Sequence, residues 1–349
     1  MTDPKGARTF VRTRQFGKAT WSLALACVLM PCGKAETSVT ANRFKLGTRD
    51  ESQEKAKQKT KEEKAVKPAD PQVLVGAGDI ASCASLAGAS ATAKLIEQIP
   101  GTVFAAGDLA YDHGTAEEFR GCYNPTWGKF KDRTRPTPGN HEYYSQGGQP
   151  YFAYWGKQAG PAGKGYYSYD LGNWHVVVLN TNCDAPGVGG CGAGSEQEKW
   201  LKEDLAQHPD SCIVAYGHHA LYSSGLLRKH ALHPELRDLW RDLYAAHANL
   251  MLAGHEHSYE RFSPQDPEGN LDTENGIREI VVGTGGRSHD PLGMALPNSD
   301  VRNADTFGVL KLTLWPGKYA WEFIPVNGAE GFHDYGEGTC HNAKKGRSE

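Results

Sequence analysis

Five short polar blocks, each beginning with glycine, constrain this chain more than any other feature. They carry carboxylates, amides, imidazoles or a phenol, and they are Gly78-Asp79, Gly107-Asp108-Leu109-Ala110-Tyr111, Gly139-Asn140-His141-Glu142, Gly217-His218-His219 and Gly254-His255-Glu256-His257. Four blocks follow apolar, strand-like runs at 73–75, 102–106, 213–215 and 250–253. The remaining block follows a predicted turn at Thr137-Pro138. Because loops converge where the strands of an α/β sheet end, the five blocks are predicted to form one site.

Residues 1–35 predict an export signal, since they carry six basic residues against one acidic residue around an apolar stretch from Trp21 to Met30. This stretch is too short to cross a bilayer, and a short buried helix is the alternative. Cys27 and Cys32 each offer a lipid-attachment point, so a lipoprotein signal competes with simple cleavage and release.

Residues 36–70 are rich in Lys, Glu, Gln, Thr and Ala and almost free of apolar side chains. This composition predicts a disordered, solvated tether with no part in catalysis. An isolated charged helix is the alternative for part of it, although the segment has no apolar stripe to bury. No break in composition follows, so residues 71–349 are predicted to form one catalytic domain.

Six cysteines follow the predicted signal, and they are Cys83, Cys122, Cys183, Cys191, Cys212 and Cys340. An even number in an exported chain permits three disulfides, with fifteen possible pairings. The favoured pair is Cys183 with Cys191, which bracket the glycine-rich loop 186–190. Buried free thiols are the alternative, and none of the cysteines has the spacing of a zinc knuckle.

The net charge of −3 is small, and basic residues are mixed with acidic ones throughout the body of the chain. This distribution offers no nucleic-acid track, and small phosphate esters are the expected partners. Beyond the export signal, no segment is apolar enough to predict a transmembrane span.

Apolar runs alternate with helical segments at 91–98, 195–207 and 234–246, which predicts βα units and an α/β fold. The second helix opens with a predicted capping box from Ser195 to Glu198. Later runs at 280–282, 307–315 and 319–326 alternate as strands do, and Pro316-Gly317 predicts a tight antiparallel hairpin between the last two.

The five blocks, in their order along the chain, resemble the motifs of the calcineurin-like metallophosphoesterases, and the resemblance spans residues 73–341. The most specific string is Gly254-His255-Glu256-His257-Ser258-Tyr259-Glu260-Arg261, which is similar to the family's His-X-His followed by Tyr-Glu-Arg. Tyr111, three residues after Asp108, points to the purple acid phosphatase branch. A charged tether precedes the blocks where plant relatives carry a β-sandwich domain, so the chain resembles a compact bacterial-type form. The resemblance implies a four-layer fold of two packed mixed β-sheets flanked by α-helices.

The resemblance also implies a binuclear metal centre. Asp79, Asp108, Tyr111 and His257 would bind the first ion, and Asp108, Asn140, His218 and His255 would bind the second. The anionic first set suits Fe3+, whereas the amide and imidazoles of the second suit Zn2+, Mn2+ or Fe2+. His219 remains an alternative ligand, because Ala220 stands where the family has proline.

In this family a hydroxide on the ions would attack phosphorus in line with the leaving alkoxide. The resemblance makes Asp108 the bridging carboxylate, and it makes His141 the residue that contacts phosphate or protonates the leaving group. Asn140, Tyr222 and His230 are further candidates for substrate binding. The roles of His230 and the nearby His233 stay open, because the two histidines that plant relatives place in that region are replaced here.

These features predict an exported hydrolase, periplasmic, secreted or on the cell surface, that is most consistent with a phosphomonoesterase of the acid phosphatase type. A phosphodiesterase acting on nucleotides or lipid headgroups is the first alternative. A catalytically idle surface-binding protein is the second, and an intact set of ligands argues against it.

Overall fold

The structure of the protein is a computed structural model that describes residues 70–226, 234–326 and 328–342. The predicted export signal, both of its cysteines and nearly all of the predicted tether lie outside these ranges, as do His230 and His233. The described residues all belong to one unit, Lys67–Glu349.

Fifteen strands lie within the described ranges. They are β1 (Gln72–Ala77), β2 (Ala81–Ser82), β3 (Thr102–Ala106), β4 (Ala110–Tyr111), β5 (Thr134–Thr137), β6 (Tyr167–Leu171), β7 (Trp174–Val178), β8 (Cys212–Tyr216), β9 (Leu250–Ala253), β10 (Tyr259–Phe262), β11 (Arg278–Val282), β12 (Ser299–Asn303), β13 (Gly308–Trp315), β14 (Lys318–Pro325) and β15 (Tyr335–Thr339).

Six α-helices accompany these strands in the described residues. They are α1 (Ala87–Glu97), α2 (Ala116–Glu118), α3 (Asn140–Tyr144), α4 (Gln149–Trp155), α5 (Glu196–Ala206) and α6 (Leu236–Ala245). A π-helical turn follows α2 at Phe119–Tyr123, and 3-10 turns lie at Trp127–Arg133, Gln146–Gly148, Gly156–Ala159 and Gly328–Glu330.

Two large mixed sheets organise the fold. The six-stranded sheet has the order β15-β14-β13-β1-β3-β5, in which β1, β3 and β5 are parallel and β13 is antiparallel to β1. The seven-stranded sheet has the order β12-β10-β11-β9-β8-β7-β6, with β7, β8, β9 and β11 parallel. A two-stranded parallel sheet joins β2 to β4.

Side chains alternate between the two faces of the seven-stranded sheet, so each face packs against a different set of residues. Val176 and Val214 share one hydrophobic core with residues of the six-stranded sheet and of α1. Their neighbours Val177 and Ile213 belong to a second core with residues of α5 and α6, such as Trp240. The two sheets therefore pack on each other, and α5 and α6 cover the other face of the seven-stranded sheet, as the predicted four-layer fold requires.

Most sequence-predicted elements are present with small changes of boundary. Strands β3 and β9 have the predicted bounds, and β13 and β14 form the predicted hairpin around Pro316-Gly317. At the start of α5, the hydroxyl of Ser195 accepts a hydrogen bond from the Glu198 amide at 3.1 Å. The carboxylate of Glu198 binds the amide of Gly194 instead of completing the predicted capping box.

The turn expected before the third block is part of a strand. The structure places β5 directly before Pro138, and β5 pairs in parallel with β3. Arg135 and Pro136 interrupt the apolar pattern of this strand, so hydrophobic periodicity in the sequence does not reveal it. Pro136 is tolerated because β5 lies at the edge of its sheet.

Three disulfides connect the six cysteines of the described region: Cys83–Cys122, Cys183–Cys191 and Cys212–Cys340. The favoured pairing of Cys183 with Cys191 is confirmed in the structure. Within the described ranges, each helix is too short or too polar to span a bilayer.

Candidate metal centre

All five polar blocks begin at the ends of strands, after β1, β3, β5, β8 and β9. Three of their residues adopt the left-handed conformation, with φ of 61° at Asp79, 52° at Asp108 and 71° at His255. Non-glycine residues seldom adopt this conformation, and the surrounding structure must hold them there. These strained turns aim side chains from distant parts of the chain at one point.

The first donor set surrounds the hydroxyl oxygen of Tyr111. This oxygen lies 2.8 Å from Asp79 Oδ1, 2.9 Å from Asp108 Oδ2 and 3.1 Å from His257 Nε2. Donor atoms bound to one cation at about 2 Å stand roughly 3 Å apart. The side chains predicted to bind the first ion therefore already have suitable spacing.

The second donor set lies beside the first. Asn140 Oδ1 is 3.1 Å from His218 Nε2 and 3.0 Å from His255 Nδ1, and these two nitrogens are 3.2 Å apart. Asp108 Oδ2 lies 3.3 Å from His218 Nε2. One carboxylate oxygen thus contacts both sets, which is the position a bridging ligand must occupy.

Both carboxylates are almost inaccessible to solvent, with Asp79 0% and Asp108 2% exposed. Burial opposes ionisation of Asp108, but the charge and hydrogen bond of His218 outweigh it and lower its pKa. Burial likewise lowers the pKa of His218, yet the charges of Asp108 and Asp79 raise it to about 9. The buried acids therefore require positive charge at this point.

Tyr111 is held as a neutral phenol by the protein groups alone. Burial raises its pKa well above the usual value, and the charges of Asp108 and Asp79 raise it further. A strongly charged cation would have to displace the phenolic proton for this oxygen to become a ligand.

Polar contacts to the ring nitrogen that faces away from the cluster hold two of the imidazole rings in place. His218 Nδ1 lies 2.8 Å from the carbonyl oxygen of Ala106, and His257 Nδ1 lies 2.6 Å from Ser288 Oγ. Such partners on the remote nitrogen orient histidine ligands and select their tautomer. Sequence reasoning did not identify Ser288, because one serine in the glycine-rich loop 283–289 carries no sequence signal for this contact.

Glu142 is a second residue whose role the sequence did not reveal. Its buried carboxylate accepts hydrogen bonds from four backbone amides: Gly139 at 2.7 Å, Leu109 at 2.8 Å, Asp108 at 3.0 Å and Ala110 at 3.3 Å. It therefore ties the second block to the third. Its position three residues after Gly139, at the start of α3, is the available signal, because an acid commonly binds amides there.

Two glycines of the blocks are required by close approach to the donors. A Cβ atom on Gly139 would lie 2.0 Å from Asp108 Oδ1, and one on Gly107 would lie 2.3 Å from His218 Nδ1. Both distances are far below van der Waals contact. Any side chain at these positions would displace a predicted ligand.

His141 lies at the rim of the cluster with 24% of its side chain exposed. Its Nδ1 is 2.6 Å from the carbonyl oxygen of Asp112, so this nitrogen carries the proton. Its Nε2 stands 3.7 Å from Asp108 Oδ2 and faces the cluster. The guanidinium of Arg287 lies 4.9 Å from the Tyr111 ring centre and forms an ion pair with Asp112 at 3.0 Å.

His219 lies beside the second donor set, with a ring nitrogen within 4.8 Å of those of His218 and His255. His219 Nδ1 contacts Thr181 Oγ1 at 2.9 Å, and its ring stands 4.5 Å from that of His255. His218 Nε2 contacts Asn140 Oδ1 at 3.1 Å and Asp108 Oδ2 at 3.3 Å. His230 lies outside the described residues.

Tyr222 occupies a structural position. Its hydroxyl donates to the carbonyl of Pro267 at 2.8 Å, and its ring packs on Trp240 with centroids 5.7 Å apart. These contacts are those of a packing residue, and they give no support to the prediction that Tyr222 binds substrate.

The Tyr-Glu-Arg string has a structural role. The Tyr259 hydroxyl and the Arg261 Nε both donate to Asp334 at 2.7 Å, and Glu260 accepts from the amide of Ser224 at 2.7 Å. These contacts anchor β10 just after the histidines of the last block.

The donor chemistry fits a pair of ions. Asp79, Asp108 and the Tyr111 phenol offer hard oxygen atoms on one side, and Asn140 with two imidazoles offers a neutral set on the other. Groups of carboxylate and imidazole donors within 4.8 Å of one another occur here as Asp79–Asp108–His218 and as His218–His219–His255.

Comparison with protein families finds a match to the calcineurin-like phosphoesterase model over residues 63–259. Among curated proteins, purple acid phosphatase 23 of Arabidopsis thaliana is 30% identical over 207 residues, which cover 48% of this chain and 43% of the relative. The probable purple acid phosphatase 20 of the same plant is 28% identical over 180 residues, covering 45% of this chain and 39% of the relative. The chain thus spans about two fifths of the length of these curated relatives.

A solved structure of a purple acid phosphatase from yellow lupin (Lupinus luteus) seeds superposes with a TM-score of 0.62. The match covers 77% of this chain and 54% of the lupin chain at 21% sequence identity. It establishes a shared fold.

Proposed function

The chain belongs to the calcineurin-like phosphoesterase family, with curated relatives in the purple acid phosphatase branch, and on this basis we propose that it is a binuclear metal-dependent phosphomonoesterase. The observation that carries the proposal is the position of Asp108. Its Oδ2 lies 2.9 Å from the Tyr111 oxygen and 3.3 Å from His218 Nε2, between the two donor sets.

The proposed ligands divide by chemistry. Asp79, Tyr111 and His257 would hold Fe3+, because two anionic oxygens suit a hard trivalent ion. Asn140, His218 and His255 would hold Zn2+, Mn2+ or Fe2+, and Asp108 would belong to both sets. Two bound cations would supply activated water and neutralise charge on the phosphoryl group.

The protein would contribute proton transfer and orientation. The Nδ1–H of His141 donates a hydrogen bond to the Asp112 carbonyl, so Nε2 is the nitrogen that can hold a proton for the leaving oxygen. Arg287, beside Tyr111, offers a positive group for the non-bridging phosphate oxygens. Asn140 would orient the substrate as well as bind the second ion.

The cellular setting is part of the proposal. Three disulfides within the catalytic region support an exported protein, since such bonds persist in oxidising compartments. The basic, apolar N-terminal segment supports export too, with a lipid anchor at Cys27 or Cys32 as one variant. The expected partners are small phosphate esters.

Replacing Asp108 with Asn tests the proposal. We expect the Asp108→Asn variant to lose hydrolysis of a chromogenic phosphate monoester by at least about 100-fold and to retain less metal, because both ions share this carboxylate. The exposed Asp132→Asn variant is the matched control. Full activity in Asp108→Asn would contradict the proposal, and faster turnover of a diester than of a monoester would move the assignment to a phosphodiesterase.

A further inference from the structure

Tyr144 is an exposed aromatic residue at the rim of the candidate metal centre. It is the last residue of α3, the helix that begins at Asn140, and 59% of its surface is exposed. Its neighbour Tyr143 is partly buried and accepts a hydrogen bond from Asn180 Nδ2 at 2.7 Å. Exposure alone gives Tyr144 no function, because single exposed apolar side chains are common. Its position beside His141 does.

We propose that the ring of Tyr144 is a platform on which the leaving group of the substrate stacks. The preferred substrates are then small phosphate monoesters in which an aromatic ring is bonded to the leaving oxygen. This inference rests on the phosphomonoesterase function proposed above and names the substrate class of that site.

Helical spacing places Tyr144 against two residues of the proposed reaction. It follows Asn140 by four residues and His141 by three, and residues at these spacings are neighbours on one face of a helix. Asn140 Nδ2 donates a hydrogen bond to the Tyr144 hydroxyl at 2.9 Å, and the ring centres of His141 and Tyr144 are 4.7 Å apart. The Tyr144 ring is therefore held at a defined position relative to the donor sets.

The direction in which the leaving group extends follows from the order of these residues. The exposed fraction rises from 2% at Asp108, through 24% at the His141 side chain, to 59% at Tyr144. His141 Nε2 faces the donor sets and is the proposed proton donor to the leaving oxygen. With the phosphoryl group at the buried end, the group bonded to the leaving oxygen would extend outward past His141 and meet Tyr144.

The Tyr144 ring keeps room for a stacked partner. The rings of His141 and His113 approach it with planes tilted by 55° and 61°, so neither lies parallel to it. Ser145 Oγ donates a hydrogen bond to the carbonyl oxygen of His113 at 2.7 Å, which ties the His113 loop to the end of α3. An aromatic leaving group fits this surface, because aromatic rings favour offset-stacked partners.

Two esters that differ in the leaving group test the proposal. The wild type and its Tyr144→Leu and Tyr144→Phe variants are assayed on phenyl phosphate and on trifluoroethyl phosphate, whose leaving group is activated but has no ring. We expect the ratio of kcat/KM for the phenyl ester over that for the trifluoroethyl ester to fall about 5-fold in Tyr144→Leu, because leucine buries apolar surface but does not stack. Tyr144→Phe should keep the wild-type ratio.

The control for this comparison is Tyr335→Leu. Tyr335 is 77% exposed and lies in β15, the edge strand three places from β1 in the six-stranded sheet, so both esters should react as in the wild type. A wild-type ratio in Tyr144→Leu would overturn the proposal. A ratio that falls as far in Tyr144→Phe as in Tyr144→Leu would overturn it too, since the hydroxyl and not the ring would then set the preference.

Binding of phosphonates gives a readout that needs no turnover. Phenylphosphonate and ethylphosphonate are titrated by calorimetry into the protein purified without chelator. We expect Tyr144→Leu to weaken phenylphosphonate binding about 5-fold and to leave ethylphosphonate binding unchanged. Equal changes for the two phosphonates would overturn the platform. The expected binding pattern in a wild type that hydrolyses neither ester would instead contradict the proposed phosphatase function, so the two failures are distinguishable.

Discussion

At the scale of single residues, one phenol decides between branches of the family. The Tyr111 oxygen contacts Asp79, Asp108 and His257 at 2.8–3.1 Å, which no ordinary packing tyrosine requires. The geometry therefore gives Tyr111 the position of a ligand, and Fe3+ bound to a tyrosinate would colour the protein.

The Tyr111→Phe variant tests this role. We expect the purified wild type to show a visible absorption band and the variant to lose it while remaining folded, because only the phenolic oxygen is removed. The Tyr123→Phe variant is the control, since the buried hydroxyl of Tyr123 has no hydrogen-bond partner in the structure. A colourless wild type, or a band that survives in Tyr111→Phe, would contradict Fe3+ bound to the Tyr111 phenolate at the first site.

Glu142 provides a second prediction at this scale. A glutamine has one acceptor oxygen where the carboxylate has two, so the Glu142→Gln variant leaves buried amides of the second and third blocks unpaired. We expect a loss of about 2–3 kcal/mol in the free energy of unfolding and weaker metal retention. Denaturant unfolding beside the exposed Glu322→Gln control measures the loss, and equal stability of both variants would refute the role assigned to Glu142.

At the scale of elements, the sequence predicts where an apolar strand lies better than it predicts which strands pair with one another. Strands β3 and β9 were found at their predicted bounds because they are continuous apolar runs. β5 was missed because Arg135 and Pro136 break its pattern, although it completes the set of strand ends that carry the blocks. The sheet orders, and the contacts of Glu142 and Ser288, depend on tertiary packing that local patterns do not encode.

A carboxylate buried between elements also makes the stability of the fold depend on pH. Glu279 in β11 is fully buried and accepts hydrogen bonds from the amides of Leu221 and Tyr222 at 2.9 and 3.0 Å. Burial raises its pKa to about 8, and the two amide bonds oppose this shift only in part. The folded state therefore keeps a proton that the unfolded state releases at about pH 4.5.

This difference predicts that Glu279 contributes less to stability as the pH rises from about 4.5 to about 8. The Glu279→Gln variant cannot ionise, so we expect it to gain stability relative to the wild type across this window. Urea unfolding at several pH values measures the difference. A difference between the two proteins that stays constant with pH would contradict the raised pKa.

At the scale of the whole molecule, five segments spread from Gly78 to His257 act as one site because two mixed sheets bring their strand ends together. The residues of the sequence predicted this convergence and favoured the Cys183–Cys191 disulfide, whereas the four-layer fold was implied by the resemblance to the family. The fold itself does not prove catalysis, since a shared architecture can host other roles. What argues for catalysis is that the predicted donors lie together, with Asp108 between their two sets.

The most direct test of this account is a crystal structure, with anomalous diffraction data, of the protein purified without chelator. A binuclear centre should give two anomalous peaks about 3.5–4 Å apart, one on each side of the Asp108 carboxylate. The first peak should lie beside the Tyr111 oxygen and the second beside His218 Nε2. A single peak, or two peaks of which neither contacts Asp108, would contradict the binuclear centre.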